Sequence, residues 1–121
     1  MFQDSLNQAL HHVPEARGAL LIGLDGITVA RAFLPGDEAL EAILVTMTVE
    51  LAQVLRKYKR FHETGELPAV QNLRLTTDDF TMLAHLVDEY LLVLAVPAHS
   101  SPDVGERMLG LLAPRVLAEI A

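Results

Sequence analysis

At 121 residues, with 51% apolar and 21% charged side chains, the chain has the make-up of one globular domain spanning 1–121, long enough to bury a core. The formal net charge of −7 argues against a nucleic-acid binder, whose affinity comes from Lys and Arg neutralising phosphates. Cysteine is absent, so a disulfide scaffold, a thiol nucleophile and a thiolate metal site are excluded, and a reducing compartment is suited.

The N-terminus Met1-Phe2-Gln3-Asp4-Ser5 lacks the basic region and apolar core of a signal peptide. No apolar run approaches the ~18 residues of a membrane span, so a cytoplasmic protein without membrane insertion is expected. Phe2, Leu6, Ala9, Leu10 and Val13 fall at helical spacing, giving a short amphipathic helix that Pro14 should end. From Gly18 to Phe33 the chain reads as strand, tight turn at Leu24-Asp25-Gly26, and strand. Asp-Gly between apolar runs is a hairpin signal, because glycine supplies the positive φ that such turns need. In the first strand Ala19, Leu21 and Gly23 alternate with Leu20, Ile22 and Leu24, so both of its faces should be covered.

Asp37 is placed to cap a long second helix, with Glu38 and Glu41 at the positive end of its dipole. One apolar stripe comprises Leu40, Leu44, Met47, Leu51, Val54 and Tyr58, widened by Ile43 and Leu55; this is the expected core face. A second stripe, Ala42, Val45, Val49 and Ala52, lies roughly opposite at about 100° per residue. A helix apolar on two sides is difficult to enclose in so small a domain. The second stripe is therefore expected to meet a partner. Arg56-Lys57-Tyr58-Lys59-Arg60 ends the helix with cations, which suit the dipole and also form a basic patch for an acidic surface.

Three strands are expected next, Val70 to Thr76, Phe80 to Val87 and Tyr90 to Val96, joined by turns short enough for an antiparallel meander. The last two are apolar on both faces and belong in the centre of the sheet. The first carries Gln71, Asn72 and Arg74, so it reads as an edge. Ser101 and Pro102 suit the start of a final helix, with Val104, Met108, Leu111, Leu112, Val116 and Ile120 expected on its buried face and a kink expected at Pro114. The element order gives an α+β fold: one five-stranded antiparallel sheet covered on both faces.

Catalytic chemistry finds little support. His11 and His12 point about 100° apart on a helix and cannot both face one metal. His85, on an apolar strand, reads as a hydrogen-bonded structural residue. No nucleophile elbow accompanies Ser100 and Ser101, and no phosphate-binding glycine loop is present. Asp78-Asp79 and Asp88-Glu89 read as solvated turn residues. No catalytic residue, metal or cofactor is expected, and the chain is read as a non-enzyme.

The pattern resembles the roadblock (roadblock/dynein light chain) family, especially the bacterial gliding-motility B-type proteins. Gly18-Ala19-Leu20-Leu21-Ile22, Asp25-Gly26 followed by Val29-Ala30, the long middle helix, Leu91 to Val96, and Gly105-Glu106-Arg107 through Leu109 and Leu112 carry the resemblance. It implies a long middle helix on one sheet face, with the N- and C-terminal helices on the other. It also implies a homodimer with sheets joined edge to edge and middle helices side by side, and a Ras-like small GTPase as client, regulated without an inserted catalytic residue. On this reading Ala42, Val45, Val49, Ala52, Asn72, Leu73 and Arg74 form the dimer interface, and Thr46, Glu50, Gln53, Arg56, Lys57 and Arg60 meet the GTPase. A scaffold subunit without effect on nucleotide turnover is the alternative, and a small-ligand sensor a more distant one. A sensor would want a cavity lined by polar groups, whereas the pattern here is aliphatic and well filled.

Overall fold

The computed structural model describes residues 2–13 and 15–120, and of Ile120 the backbone only. The expected stop at Pro14 and the expected burial of Ile120 lie outside the described residues. The elements are α1 (Phe2–His12), β1 (Gly18–Gly23), β2 (Thr28–Phe33), α2 (Glu38–Glu63), β3 (Asn72–Thr76), β4 (Phe80–Val87), β5 (Tyr90–Pro97) and α3 (Asp103–Ile120). All strand pairings are antiparallel and the spatial order is β2-β1-β5-β4-β3.

Strand alternation splits the core into two layers. Leu21, Leu92, Leu94 and Leu83 point toward α1 and α3, where they meet Leu6, Ala9, Leu109, Leu112 and Val116. Leu20, Ile22, Met82, Leu91 and Val93 point the other way, toward Leu40, Leu44 and Leu55 of α2. β1 is buried along its whole length, as a strand apolar on both faces requires. The β1–β2 turn is closed by Gly26 at φ +88° and by the Asp25 carboxylate, which accepts from the Ile27 N–H at 3.0 Å. Gly105 lets α3 approach the sheet: a Cβ there would stand 2.7 Å from Leu83 Cδ1 and 3.1 Å from Leu94 Cδ2.

Four expectations need correction. The core face of α2 is Leu40, Leu44, Thr48, Ala52 and Leu55, so the helix is rotated from the expected setting. Asp37 stands at the α2 N-cap, but its side chain makes no capping hydrogen bond and is instead held by Arg17. The edge strand begins at Asn72, not Val70, which packs beside α2. On α3, Val104 and Leu111 are exposed, and Gly105, Leu109, Leu112 and Val116 form the buried face with Met108 beside it. Helix α3 continues through Pro114. Its start is as expected, with Ser101 Oγ accepting from the Asp103 N–H at 3.5 Å.

Candidate interaction surface

The outward side of α2 and the open edge of β3 are the surfaces on which the expected site residues fall. Ala52 is fully buried, at 0% exposure, among Leu20, Ile22 and Met82. Val45 and Val49 are half-buried against the same layer, and Val49 lies near the β1–β2 turn at Gly26. Ala52 is therefore not surface left over for a partner, which corrects that position of the expected stripe; Val45 and Val49 keep part of their surface and Ala42 is exposed.

The apolar residues that do face outward are Ile43, Val54 and Phe61, 49%, 62% and 50% exposed. Their positions share one flank of the helix, with half-buried Met47 and Leu51 beside them. That flank is on the opposite side from Val45 and Val49. The misassignment has a simple origin. Thr48 and Ala52 look neutral in a hydropathy pattern, but small residues are what allow α2 to sit close to the sheet. Thr48 is buried because its hydroxyl can donate to the Val45 carbonyl at 3.0 Å.

Between the two flanks run Thr46, Glu50, Gln53 and Lys57, all exposed, as the spacing predicts. Arg56 and Arg60 are exposed beside them. The cationic cluster divides in two. Lys59 turns back to the β4–β5 turn, where it donates to the Asp88 carbonyl at 3.4 Å and pairs with the Glu89 carboxylate. Arg56, Lys57 and Arg60 have no ion pair among the described residues. Arg56 also lines an open cleft of about 420 Å³ with Gly23, Asp25, Ile27, Val29, Glu89 and Tyr90. The acids in that cleft are already engaged, Glu89 by Lys59 and Asp25 by a backbone amide.

The turn acids are thus less free than the sequence suggests. Asp79 and Asp37 both bind Arg17, at 3.3 and 3.2 Å, which ties the β3–β4 turn and the α2 N-terminus to the start of β1. The hydrogen bond with Asp37 raises the Arg17 pKa further, against the opposing effect of burial. Among the described residues, no cluster of His, Asp and Glu has metal-binding geometry, and no helix is long and apolar enough to cross a membrane.

His85 departs from expectation. It is half-buried, and its imidazole makes no hydrogen bond among the described residues. Burial lowers its pKa from the ordinary 6.5, with the Glu106 charge opposing the shift. The unfolded chain therefore takes up this proton at higher pH than the folded one. Stability supported by neutral His85 is present above pH 6.5 and is lost as pH falls toward the folded-state value. Urea midpoints measured from about pH 8 to 5 should fall with acid, and His85→Gln should flatten that part of the slope.

The arrangement has solved counterparts. A roadblock/LC7 domain from Streptomyces avermitilis superposes with a TM-score of 0.76 at 14% identity, covering 98% of this chain and 96% of that one. The fold is that of a roadblock domain. MglC from Myxococcus xanthus has the same roadblock fold, with a TM-score of 0.75 at 24% identity over 98% of both chains. The gliding protein MglB from Thermus thermophilus matches with a TM-score of 0.69 at 20% identity, over 98% of this chain and 86% of that one. No family model matches the sequence, and no curated protein matches it. Coverage of nearly the whole chain means that the roadblock fold accounts for all three helices and all five strands.

Proposed function

We propose that this chain is a homodimeric, non-catalytic regulator that binds a Ras-like small GTPase and modulates its nucleotide cycle or its location, in a gliding-motility or cell-polarity setting. The observation that carries this reading is the crest of α2, where Arg56, Lys57 and Arg60 are exposed and unpaired beside Thr46, Glu50 and Gln53. Holding unpaired cations together on a chain of net charge −7 favours an acidic partner surface. The client class follows from the sequence resemblance to gliding-motility B-type proteins, and the shared fold with MglC and the gliding protein MglB supports it.

The homodimer reading draws on two uncovered features, the flank of Ile43, Val54 and Phe61 and the edge strand carrying Asn72, Leu73 and Arg74. Exposed apolar side chains on one helix flank and an unpaired sheet edge both gain from a partner.

Titration of the cognate GTPase, loaded with a GTP analogue or with GDP, tests the function. Affinity should differ between the two states. Reversing Arg56, Lys57 and Arg60 to glutamate should slow association by about tenfold or more at low salt and less at high salt, with the fold unchanged because these groups are solvated. Equal affinity for both states would overturn a state-selective regulator. Turnover unaffected by saturating protein would leave the scaffold role in its place.

A further inference from the structure

Within the edge-to-edge dimer that the family resemblance implies, we infer that the two β3 strands meet in the single register that sets Arg74 opposite Arg74, and that Glu106 neutralises the resulting arginine pair. This inference rests on the homodimer reading above.

The first step is which backbone groups of β3 are free. The Leu86 N–H donates to the Gln71 carbonyl at 2.9 Å, and the Thr77 N–H to the Phe80 carbonyl at 2.8 Å. In an antiparallel ladder hydrogen-bonded pairs alternate with non-bonded ones. With Leu73 opposite Ala84 and Leu75 opposite Met82, those two positions point their backbone groups at β4. Asn72, Arg74 and Thr76 therefore present theirs to the open edge.

These groups are symmetric about Arg74. A two-fold axis through that residue lets Asn72 bond Thr76 of the second copy while Arg74 bonds Arg74, so every outward donor and acceptor is matched. Sliding the strand to centre on Leu73 or Leu75 strands an end residue. The side chains of Asn-Leu-Arg-Leu-Thr follow the same symmetry in kind, polar at both ends and leucine on either side of Arg74. Leu73 and Leu75 share the α2 side of the sheet, because their β4 partners Ala84 and Met82 belong to that layer. Centred on Arg74, each Leu75, 39% exposed in one copy, comes against Leu73 of the other. Non-bonded pairs are the close ones, about 4.5 Å between Cα atoms.

On the opposite side the same register brings two guanidinium groups together, and like charges directly opposed weaken a sheet. The fold supplies the remedy within each copy. Glu106 of α3 accepts from Arg74 Nη2 at 2.7 Å and from Nε at 3.2 Å. Two arginines and two glutamates then alternate in sign across the axis. His85, opposite Asn72 on β4, is a further titratable group on this side, and burial disfavours its charged form.

The absence of native cysteine allows a direct test by cross-linking. Bonded antiparallel pairs have Cα atoms about 5.5 Å apart, within the range a disulfide spans. Arg74→Cys should therefore form a covalent dimer alone under mild oxidation. Asn72→Cys and Thr76→Cys should each fail alone and cross-link when mixed. Glu106→Lys should weaken dimerisation about tenfold or more by sedimentation, and adding Arg74→Glu should restore it. Self-cross-linking by Leu73→Cys or Leu75→Cys in place of Arg74→Cys would overturn the register. Dimerisation unchanged by Glu106→Lys would overturn the neutralising role. A dimeric wild type in which no β3 cysteine cross-links would overturn the edge pairing and leave the homodimer standing. A monomeric wild type would overturn both.

Discussion

Replacing Ala52 by glutamate is expected to abolish the folded state near neutral pH, while the same change two residues on, at Val54, is expected to leave it intact. Ala52 has no exposed surface and is enclosed by the sheet and by α2 itself. A carboxylate there is shut off from solvent, and its desolvation costs several kcal/mol, comparable with the about 5–15 kcal/mol that hold a domain together. Val54 is 62% exposed, so a glutamate there stays hydrated. Circular dichroism should show a loss of structure for the first variant and a native spectrum for the second. Sedimentation of Val54→Glu then asks whether this flank of α2 is buried between copies. A native spectrum for Ala52→Glu would mean that α2 sits in a different rotational setting.

Truncating Leu94 to alanine is expected to lower the unfolding free energy by about 2–5 kcal/mol. Leu94 lies in β5, between β1 and β4, fully buried beneath α3, and its Cδ2 lies 3.1 Å from where a Cβ at Gly105 would stand. Gly105, at the helix contact, has no side chain of its own to swing into the void, and Leu83 and Val96 beside it are already packed. Relaxation should be poor and the cost toward the upper end of the range. Urea unfolding with an unchanged m-value and a lowered midpoint is the expected result. A loss well under about 1 kcal/mol would show that α3 settles into the gap.

Much of the fold is legible because strands report their two faces independently. Leu91 through Val96 alternates between the two core layers without interruption, and burial follows that alternation residue by residue. The Asp25-Gly26 turn is equally explicit, since positive φ at Gly26 is most easily met by a residue without a side chain. Helix α2 is less readable. Its large side chains occupy both flanks, and the line of closest approach to the sheet passes through Thr48 and Ala52, which carry little hydropathy. Counting apolar residues locates the flanks and misses the line between them. Polar positions on the crest, Thr46, Glu50, Gln53 and Lys57, were readable for the opposite reason: no flank can bury them. Pairings across long separations were not readable at all. Nothing local marks Arg17 as the partner of Asp37 and Asp79, or Lys59 as the partner of Glu89.

The other end of the sheet carries a consequence for assembly size. Leu34 donates to the Arg17 carbonyl at 3.3 Å, and by the same alternation the backbone of Arg31 on β2 faces away from β1. Its carbonyl is already occupied, accepting from Gln3 Nε2 of α1 at 2.8 Å. Its side chain is drawn back over α2 by Glu41 at 3.5 Å. A sheet with two vacant margins can add copies indefinitely and end as a fibre. Here one margin is obstructed at Arg31 by the chain's own first helix, which disfavours growth there once β3 is paired. Gln3 would then serve as a guard against polymerisation, and Gln3→Ala is the substitution with which to look for it.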